Sequence, residues 1–324
     1  MKKILLTKEI INDVQKELAD YEVDIWNESK DGDLTKDKLK SIIAPYSGII
    51  SMLSNPLDEE VLKAAKNLEI IAQYAVGYNN IDVNYCEQNN ITITNTPDVL
   101  SHATAELAFA LLLNVSRNIS TSAQETKEGA WKGWEPKGYL GTSLKNLKLG
   151  VIGPGRIGNE FTKMCQGAFN HEVFYYSRSI KEDFEKCFQA QRLELNELMK
   201  SCDIISLHCP LTDETKNLLN KENLHLLKKN AILINTARGE VIDQDDLVDI
   251  LCRRNDLKVG LDVTTPEPLD NDHELYKLKN VIITPHIGSA TTTARTEMGN
   301  IVCKSVKDHF LGRTPKFKIS HENH

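Results

Sequence analysis

Three residues of this 324-residue chain carry side chains suited to proton transfer on an anionic carbonyl compound. They are Arg238 in Asn235-Thr236-Ala237-Arg238-Gly239, Glu267 in Thr265-Pro266-Glu267-Pro268-Leu269, and His286 in Thr284-Pro285-His286-Ile287-Gly288. An imidazole titrates near neutrality, so it can deliver or accept a proton at physiological pH. A neighbouring carboxylate favours the imidazolium and orients the ring. A guanidinium clamps a carboxylate with its planar fork and polarises a keto oxygen as charge develops there. Taken singly, each has a plainer explanation: a turn cap, a loop acid between prolines, a core histidine.

A glycine loop gives them a context. Gly153-Pro154-Gly155-Arg156-Ile157-Gly158 fits G-x-G-x-x-G, with the apolar run Leu149–Ile152 before it and a helical pattern from Arg156 after it. The first glycine permits a tight turn, the second lets backbone approach a pyrophosphate, and the third lets helix pack on strand. The helix N-terminus, including the N–H of Arg156, then faces the phosphate charge. A dinucleotide site is expected here.

The next strand bears on which dinucleotide. A carboxylate about 20 residues on would bond the ribose 2′-hydroxyl of NAD. Here Glu172–Tyr176 runs into Ser177-Arg178-Ser179, and Tyr176 stands where the acid should be. Arg178 between two hydroxyls can instead bind a 2′-phosphate through paired donors. NADP is the expected preference, with NAD accepted.

The elements that must position these groups follow from hydropathy. Ile4–Leu6, Val23–Trp26, Gly48–Leu53, Leu68–Gln73 and Ile91–Thr94 read as buried strands, separated by helical patterns such as Glu9–Leu18 and Asp58–Ala65. Pro97 closes that region, and a long apolar helix is expected over Ser101–Lys127, then a loop over Gly129–Gly141. A second alternation has strands at Leu147–Ile152, Val173–Tyr176, Asp203–His208, Ala231–Asn235, Lys258–Asp262 and Val281–Thr284, with helices at Arg156–Phe169 and Asp243–Arg253. A last amphipathic helix spans about Thr291–Phe310. Strand–helix alternation implies parallel sheets covered on both faces, hence two doubly wound α/β domains.

Composition narrows the class. Hydrophobic content of 40%, charged content of 26% and net charge −7 suit a globular protein and argue against a nucleic-acid binder. Seven cysteines without a C-x-x-C pair suit free thiols in a reducing compartment, and no metal site is expected. The apolar run near Met1 is too short for a signal, and Leu107–Leu113 is too short for a membrane span, so a cytoplasmic protein is expected. His321-Glu322-Asn323-His324 reads as a frayed polar tail rather than a chelator.

The three segments around Arg238, Glu267 and His286 resemble, in order, the signatures of the D-isomer-specific 2-hydroxyacid dehydrogenases. His208-Cys209-Pro210-Leu211-Thr212, Asn95-Thr96-Pro97, Ala75–Asp82 and Gly150–Gly153 are similar to that family's motifs as well, so the likeness spans nearly the whole chain. Gln73–Asp82 and Tyr175–Ser179 most resemble the glyoxylate/hydroxypyruvate reductases. The resemblance implies reduction of a small 2-keto acid by NAD(P)H, with Arg238, Glu267 and His286 catalytic and no metal. It implies a Rossmann cofactor domain, 100–290, inserted into a flavodoxin-like substrate domain, 1–99 with 291–324. It also brings Thr104, Ile157, His208, Cys209, Pro210, Thr215, Thr236, Ala237, Asp262 and Gly288 to the cofactor, Asp262 at the nicotinamide carboxamide.

In the substrate domain, Ala75-Val76-Gly77 follows a strand, and its N–H groups can form a nest for the substrate carboxylate, a role the likeness also implies. Leu53, with Met52, is assigned to the side-chain pocket. A homodimer through the Ser101–Lys127 helix is a further implication. The chain departs from the family's usual pattern at Pro154, Asn79 and Glu106, none of which touches the expected chemistry. Phosphoglycerate dehydrogenase, a D-lactate-type enzyme and a nucleotide-sensing corepressor share these motifs and stay open as alternatives.

Overall fold

The computed structural model describes residues 1–319; the tail His321–His324 lies outside the described residues. The chain forms two compact units, Met1–Leu100 with the segment from Ala290 on, and Ser101–Ser289.

The first unit is built on a five-stranded parallel sheet of β1 (Lys3–Leu6), β2 (Glu22–Ile25), β3 (Gly48–Ser51), β4 (Ile70–Gln73) and β5 (Thr92–Thr94), in the order β2-β1-β3-β4-β5. Every residue of β3 and β4 is buried, as expected for strands covered on both faces. Strand order reverses between β1 and β3, the flavodoxin-like pattern, and such sheets bind ligands beyond the carboxyl ends of their strands. The loops after β3 and β4, carrying Met52–Leu53 and Ala75–Gly77, lie at that end. Helix Glu59–Ala64 starts where Asp58 accepts the N–H of Val61 at 3.1 Å. Helix Thr292–Phe310, capped by Thr291, packs against β4.

The second unit holds a seven-stranded parallel sheet: β6 (Lys148–Ile152), β7 (Glu172–Tyr176), β8 (Gln191–Arg192), β9 (Ile204–Leu207), β10 (Ile232–Asn235), β11 (Lys258–Leu261) and β12 (Val281–Ile283). Their order is β12-β11-β10-β9-β6-β7-β8, with the reversal between β6 and β9. That is the Rossmann arrangement, in which a dinucleotide crosses the switch point. Apolar side chains from both faces of this sheet form two cores, one around Leu198, Leu207 and Leu233 and another around Leu112, Phe161 and Ile234. The expected class, two doubly wound parallel α/β sheets, is the one observed.

Local differences have physical causes. The helix expected over Glu9–Leu18 is only Val14–Glu17, because Asp13 takes the N–H of Lys16 and starts the helix there. The segment Ser101–Lys127 is two helices, Ser101–Arg117 and Ile119–Lys127, broken at Asn118, whose φ is +54°. Lys258 Nζ donates to Asn118 Oδ1 at 3.1 Å and holds that break. Only the first of the two helices buries side chains, packing on helix Arg156–Phe169, β10 and β11. Its apolar face is therefore accounted for by its own unit's core. β8 is only two residues long, too short a strand to have a readable period in the sequence.

Among the described residues, no helix is long and apolar enough to cross a membrane, and no cluster of three or more His, Cys, Asp or Glu side chains could hold a metal.

Candidate active site

The glycine loop joins β6 to helix Arg156–Phe169. Gly153 has φ +82°, and its N–H donates to the Tyr176 carbonyl at 3.0 Å. A Cβ on Gly153 would lie 2.6 Å from the Cys209 backbone, and one on Gly158 would lie 2.9 Å from the Gly153 carbonyl oxygen. Both contacts exclude a side chain. Gly155 is different: a Cβ there meets nothing within 4 Å, so the backbone faces open space. Gly155 is also the N-cap of the helix, and no side chain caps it. A bare helix N-terminus, approachable through a glycine, fits a pyrophosphate.

At the end of β7, Ser177 Oγ donates to the Ser179 carbonyl at 2.6 Å, and Arg192 Nε donates to the Ser177 carbonyl at 3.1 Å. The short strand β8 thus braces the loop that exposes Arg178. Glu214, held below the usual carboxylate range chiefly by the Thr212 hydroxyl, also feels the Arg178 charge. The loop after β9 carries His208, Cys209, Pro210 and Thr215. Ser206 Oγ lies 2.9 Å from His208 Nε2, while His208 Nδ1 is buried without a partner. Burial pushes the His208 imidazole down to about 3, so it is neutral, and pushes the Cys209 thiol up to about 12, which makes it a poor nucleophile. Thr215 Oγ1 donates to the Pro210 carbonyl at 2.6 Å and accepts from the Thr212 N–H at 2.8 Å, shaping this turn.

β10 ends at Asn235, whose side chain organises the next three residues. Its Oδ1 accepts from the Ala237 N–H at 2.9 Å, and its Nδ2 donates to the Arg238 carbonyl at 2.9 Å. Arg238 Nη1 donates to the Ala237 carbonyl at 2.6 Å. Burial lowers the guanidinium pKa, while Glu267 and Glu240 act against that shift and favour the charge. Gly239 packs so closely that a Cβ would stand 2.2 Å from the Thr264 carbonyl oxygen. Thr236 Oγ1 is buried with no partner, a polar atom available to a ligand.

After β11, the buried Asp262 carboxylate builds the turn that presents His286. It accepts from Thr284 Oγ1 at 2.6 Å, the Ile287 N–H at 2.8 Å and the Gly288 N–H at 2.8 Å. Burial raises the Asp262 pKa, and these three donors oppose the rise. A carboxylate has about four acceptor positions, so roughly one is left for a further donor. Gly288 also lies against Thr104, 3.2 Å from its Cγ2 if a Cβ is built. His286 has φ +51° and hydrogen-bonds through Nδ1 to Glu267 Oε1. Arg238, Glu267 and His286 thus all sit on turns at the carboxyl ends of β10, β11 and β12, in one unit with the glycine loop.

In the first unit, the Thr96 N–H donates to the Ala75 carbonyl at 2.9 Å and Asn95 Nδ2 donates to the Val76 carbonyl at 2.8 Å. The sequence pattern missed the part played by Asn235. Asn235 is a strand-end residue that bonds backbone two and three positions on, a local signal for such a role, whereas the Asp262 carboxylate takes partners 22 to 26 residues along the chain.

Residues 109–288 match the D-isomer specific 2-hydroxyacid dehydrogenase, NAD binding domain family. The chain is 41% identical to a glyoxylate reductase of Pyrococcus horikoshii over 325 residues, covering 99% of this chain and 96% of that one. The crystal structure of the TT0316 protein of Thermus thermophilus superposes with a TM-score of 0.90 at 38% identity, covering 98% and 100% of the two chains. An NADPH-dependent glyoxylate/hydroxypyruvate reductase of Sinorhizobium meliloti, solved with NADP and malonate, gives 0.86 at 27% identity, covering 98% and 97%. With a glycine loop fit for a pyrophosphate and a similarity running the length of the fold, the chain belongs to the D-isomer specific 2-hydroxyacid dehydrogenases, oxidoreductases that work with a nicotinamide dinucleotide.

Proposed function

We propose that the protein reduces glyoxylate or hydroxypyruvate to the D-hydroxy acid, with NADPH preferred and NADH accepted. The observation that carries this reading is the His286–Glu267 hydrogen bond, in the same unit as the glycine loop. A dihydronicotinamide, when bound, would supply the hydride for the keto carbon. With Nδ1 engaged by Glu267, His286 offers Nε2 to protonate the keto oxygen. Arg238 clamps the substrate and stabilises charge growing on that oxygen. The N–H groups of Ala75, Val76 and Gly77 take the carboxylate, and Leu53 borders the side chain.

The residues that would hold the dinucleotide are Gly153, Gly155, Arg156, Ile157 and Gly158 at the pyrophosphate. Tyr176, Ser177, Arg178 and Ser179 would serve the adenosine ribose and its 2′-phosphate. Thr104, His208, Cys209, Pro210, Thr215, Thr236, Ala237, Asp262 and Gly288 would line the remainder. Similarity to a glyoxylate reductase over nearly the full chain favours glyoxylate as substrate. Exposed Arg178 and the missing acid at Tyr176 favour NADPH.

The proposal extends to a cytoplasmic enzyme without nucleic-acid or membrane partners. It works as a homodimer, a reading supported by the apolar side chains exposed along 119–140: Ile119, Trp131, Trp134, Tyr139 and Leu140.

The test is to follow NADPH and NADH absorbance with glyoxylate, hydroxypyruvate, pyruvate and phosphohydroxypyruvate separately. Highest kcat/KM on glyoxylate or hydroxypyruvate with NADPH is expected. Best turnover of phosphohydroxypyruvate or pyruvate would move the assignment to a phosphoglycerate or D-lactate dehydrogenase. No turnover of any keto acid would overturn the enzymatic reading in favour of a nucleotide sensor.

A further inference from the structure

The end of the first unit's sheet that carries the Ala75–Gly77 loop holds a linked network of buried and part-buried amides and hydroxyls. Gln73 and Ser51 are fully buried, Thr7 and Asn55 nearly so. Ser51 Oγ donates to Gln73 Oε1 at 2.6 Å, and Gln73 Nε2 donates to Asn80 Oδ1 at 2.8 Å and to the Gly77 carbonyl at 3.3 Å. Asn80 Nδ2 in turn donates to the Asn55 carbonyl at 2.8 Å and the Met52 carbonyl at 3.2 Å. Asn55 Oδ1 accepts from the Met52 N–H at 2.8 Å and from Thr7 Oγ1 at 2.6 Å. From the other side, Asn95 Nδ2 binds the Val76 carbonyl and the Thr96 N–H binds the Ala75 carbonyl.

Two consequences follow. All three carbonyls of Ala75-Val76-Gly77 are drawn back into the protein, which leaves the N–H side of the loop to face an anion. The Met52 backbone is held at both its N–H and its carbonyl, through Asn55 and Asn80, by the same network that holds Gly77. A buried polar network rigidifies its surroundings when every member is satisfied, and is costly when one is lost. Apolar side chains would fill the same space without that cost.

We propose that Gln73, Asn80 and Asn95 are positioning residues for the keto acid. They turn the Ala75–Gly77 N–H groups toward the carboxylate and set the spacing between that loop and Met52–Leu53, which borders the substrate's side chain. The proposal rests on the carboxylate-binding role assigned above to Ala75–Gly77. It makes the network, and not the loop alone, responsible for substrate affinity and for discrimination by side-chain size.

The test uses Gln73→Glu, Asn95→Ala and Asn80→Ala in the full-length enzyme. Gln73→Glu keeps the acceptor for Ser51 but cannot donate to Gly77 or Asn80, and it adds a charge near the anion. Asn95→Ala frees only the Val76 carbonyl. In both, KM for glyoxylate should rise about fivefold to thirtyfold, the range for one or two lost hydrogen bonds, with kcat within about threefold. The inhibition constant of oxamate, an unreactive keto-acid isostere, should rise in parallel. Asn80→Ala should change the glyoxylate-to-hydroxypyruvate ratio of kcat/KM. NADPH affinity, read by nicotinamide fluorescence, should be unchanged in all three.

Unchanged KM and oxamate inhibition in a soluble Asn95→Ala enzyme overturn the proposal, as does a loss confined to kcat. If Gln73→Glu is insoluble, Asn95→Ala decides alone. Wild-type turnover of keto acids separates these outcomes from failure of the functional assignment itself.

Discussion

The Nδ1 atom of His286 is hydrogen-bonded to Oε1 of Glu267, so the ring is oriented with Nε2 as its free nitrogen. A proton donor positioned this way contributes about 10²–10⁴-fold to a reaction of this type. His286→Ala should therefore lower kcat by roughly that factor while the enzyme still binds NADPH. Arg238→Ala should lower kcat and also raise the keto-acid KM, because the guanidinium serves in both binding and charge stabilisation. Steady-state kinetics of the two variants check this; near-normal kcat in His286→Ala would remove the proton donor from the mechanism.

Asp262 supports the same imidazole from behind. In Asp262→Asn, the amide can still accept from Ile287 or Thr284, but its NH₂ group would face another donor at the Gly288 N–H. One buried donor left unpaired costs about 1–3 kcal/mol of stability. A lower Tm without cofactor, together with reduced kcat, is the expected outcome. An unchanged Tm would show that the turn does not depend on this carboxylate.

Two histidines make stability sensitive to acid. Burial lowers the pKa of His171, and holds that of His208 at about 3, against an ordinary value of 6.5. His171 Nε2 and His208 Nδ1 are both enclosed without partners, so a proton added there finds no acceptor. The unfolded chain binds these protons first as pH falls below 6.5. Stability is therefore full above that value and is lost progressively from 6.5 toward 3. Between about pH 7 and pH 5, Tm should fall more steeply in the wild type than in a His171→Asn, His208→Asn double variant. Parallel slopes would show that other groups govern the acid limb.

Arg178 should decide between the two dinucleotides. Hydrogen bonds to a charged group are worth about 1.5–3 kcal/mol, so Arg178→Ala should lower kcat/KM for NADPH by roughly tenfold to more than a hundredfold. The NADH value should change little. Equal losses with both cofactors would mean that Arg178 supports the fold and not the 2′-phosphate.

The exposed aromatic segment predicts self-association. Trp131 is 58% and Trp134 84% exposed, beside the exposed Ile119, Tyr139 and Leu140 of the same segment. Trp131→Ser with Trp134→Ser should convert a dimer to a monomer in sedimentation velocity. A wild type that sediments as a monomer removes the dimer from the proposal.

The sequence alone determined a great deal here because its strongest signals are local. Buried parallel strands are short unbroken apolar runs, and β1, β3, β4, β6, β9 and β10 can be read from Ile4, Ile49, Ile71, Val151, Ile205 and Leu233 outward. The glycine loop is legible because three backbone approaches demand glycine at fixed intervals, and Arg238, Glu267 and His286 stand in ordered motifs. What only the tertiary structure decided depends on residues far apart in the chain. The break at Asn118 is held by Lys258, the Arg178 loop by Arg192, and the Ala75–Gly77 loop by Asn95 and a chain of amides reaching back to Thr7. An amide or hydroxyl has no hydropathic period to betray its partner, and which one it takes is settled only when the sheet sets strand ends side by side.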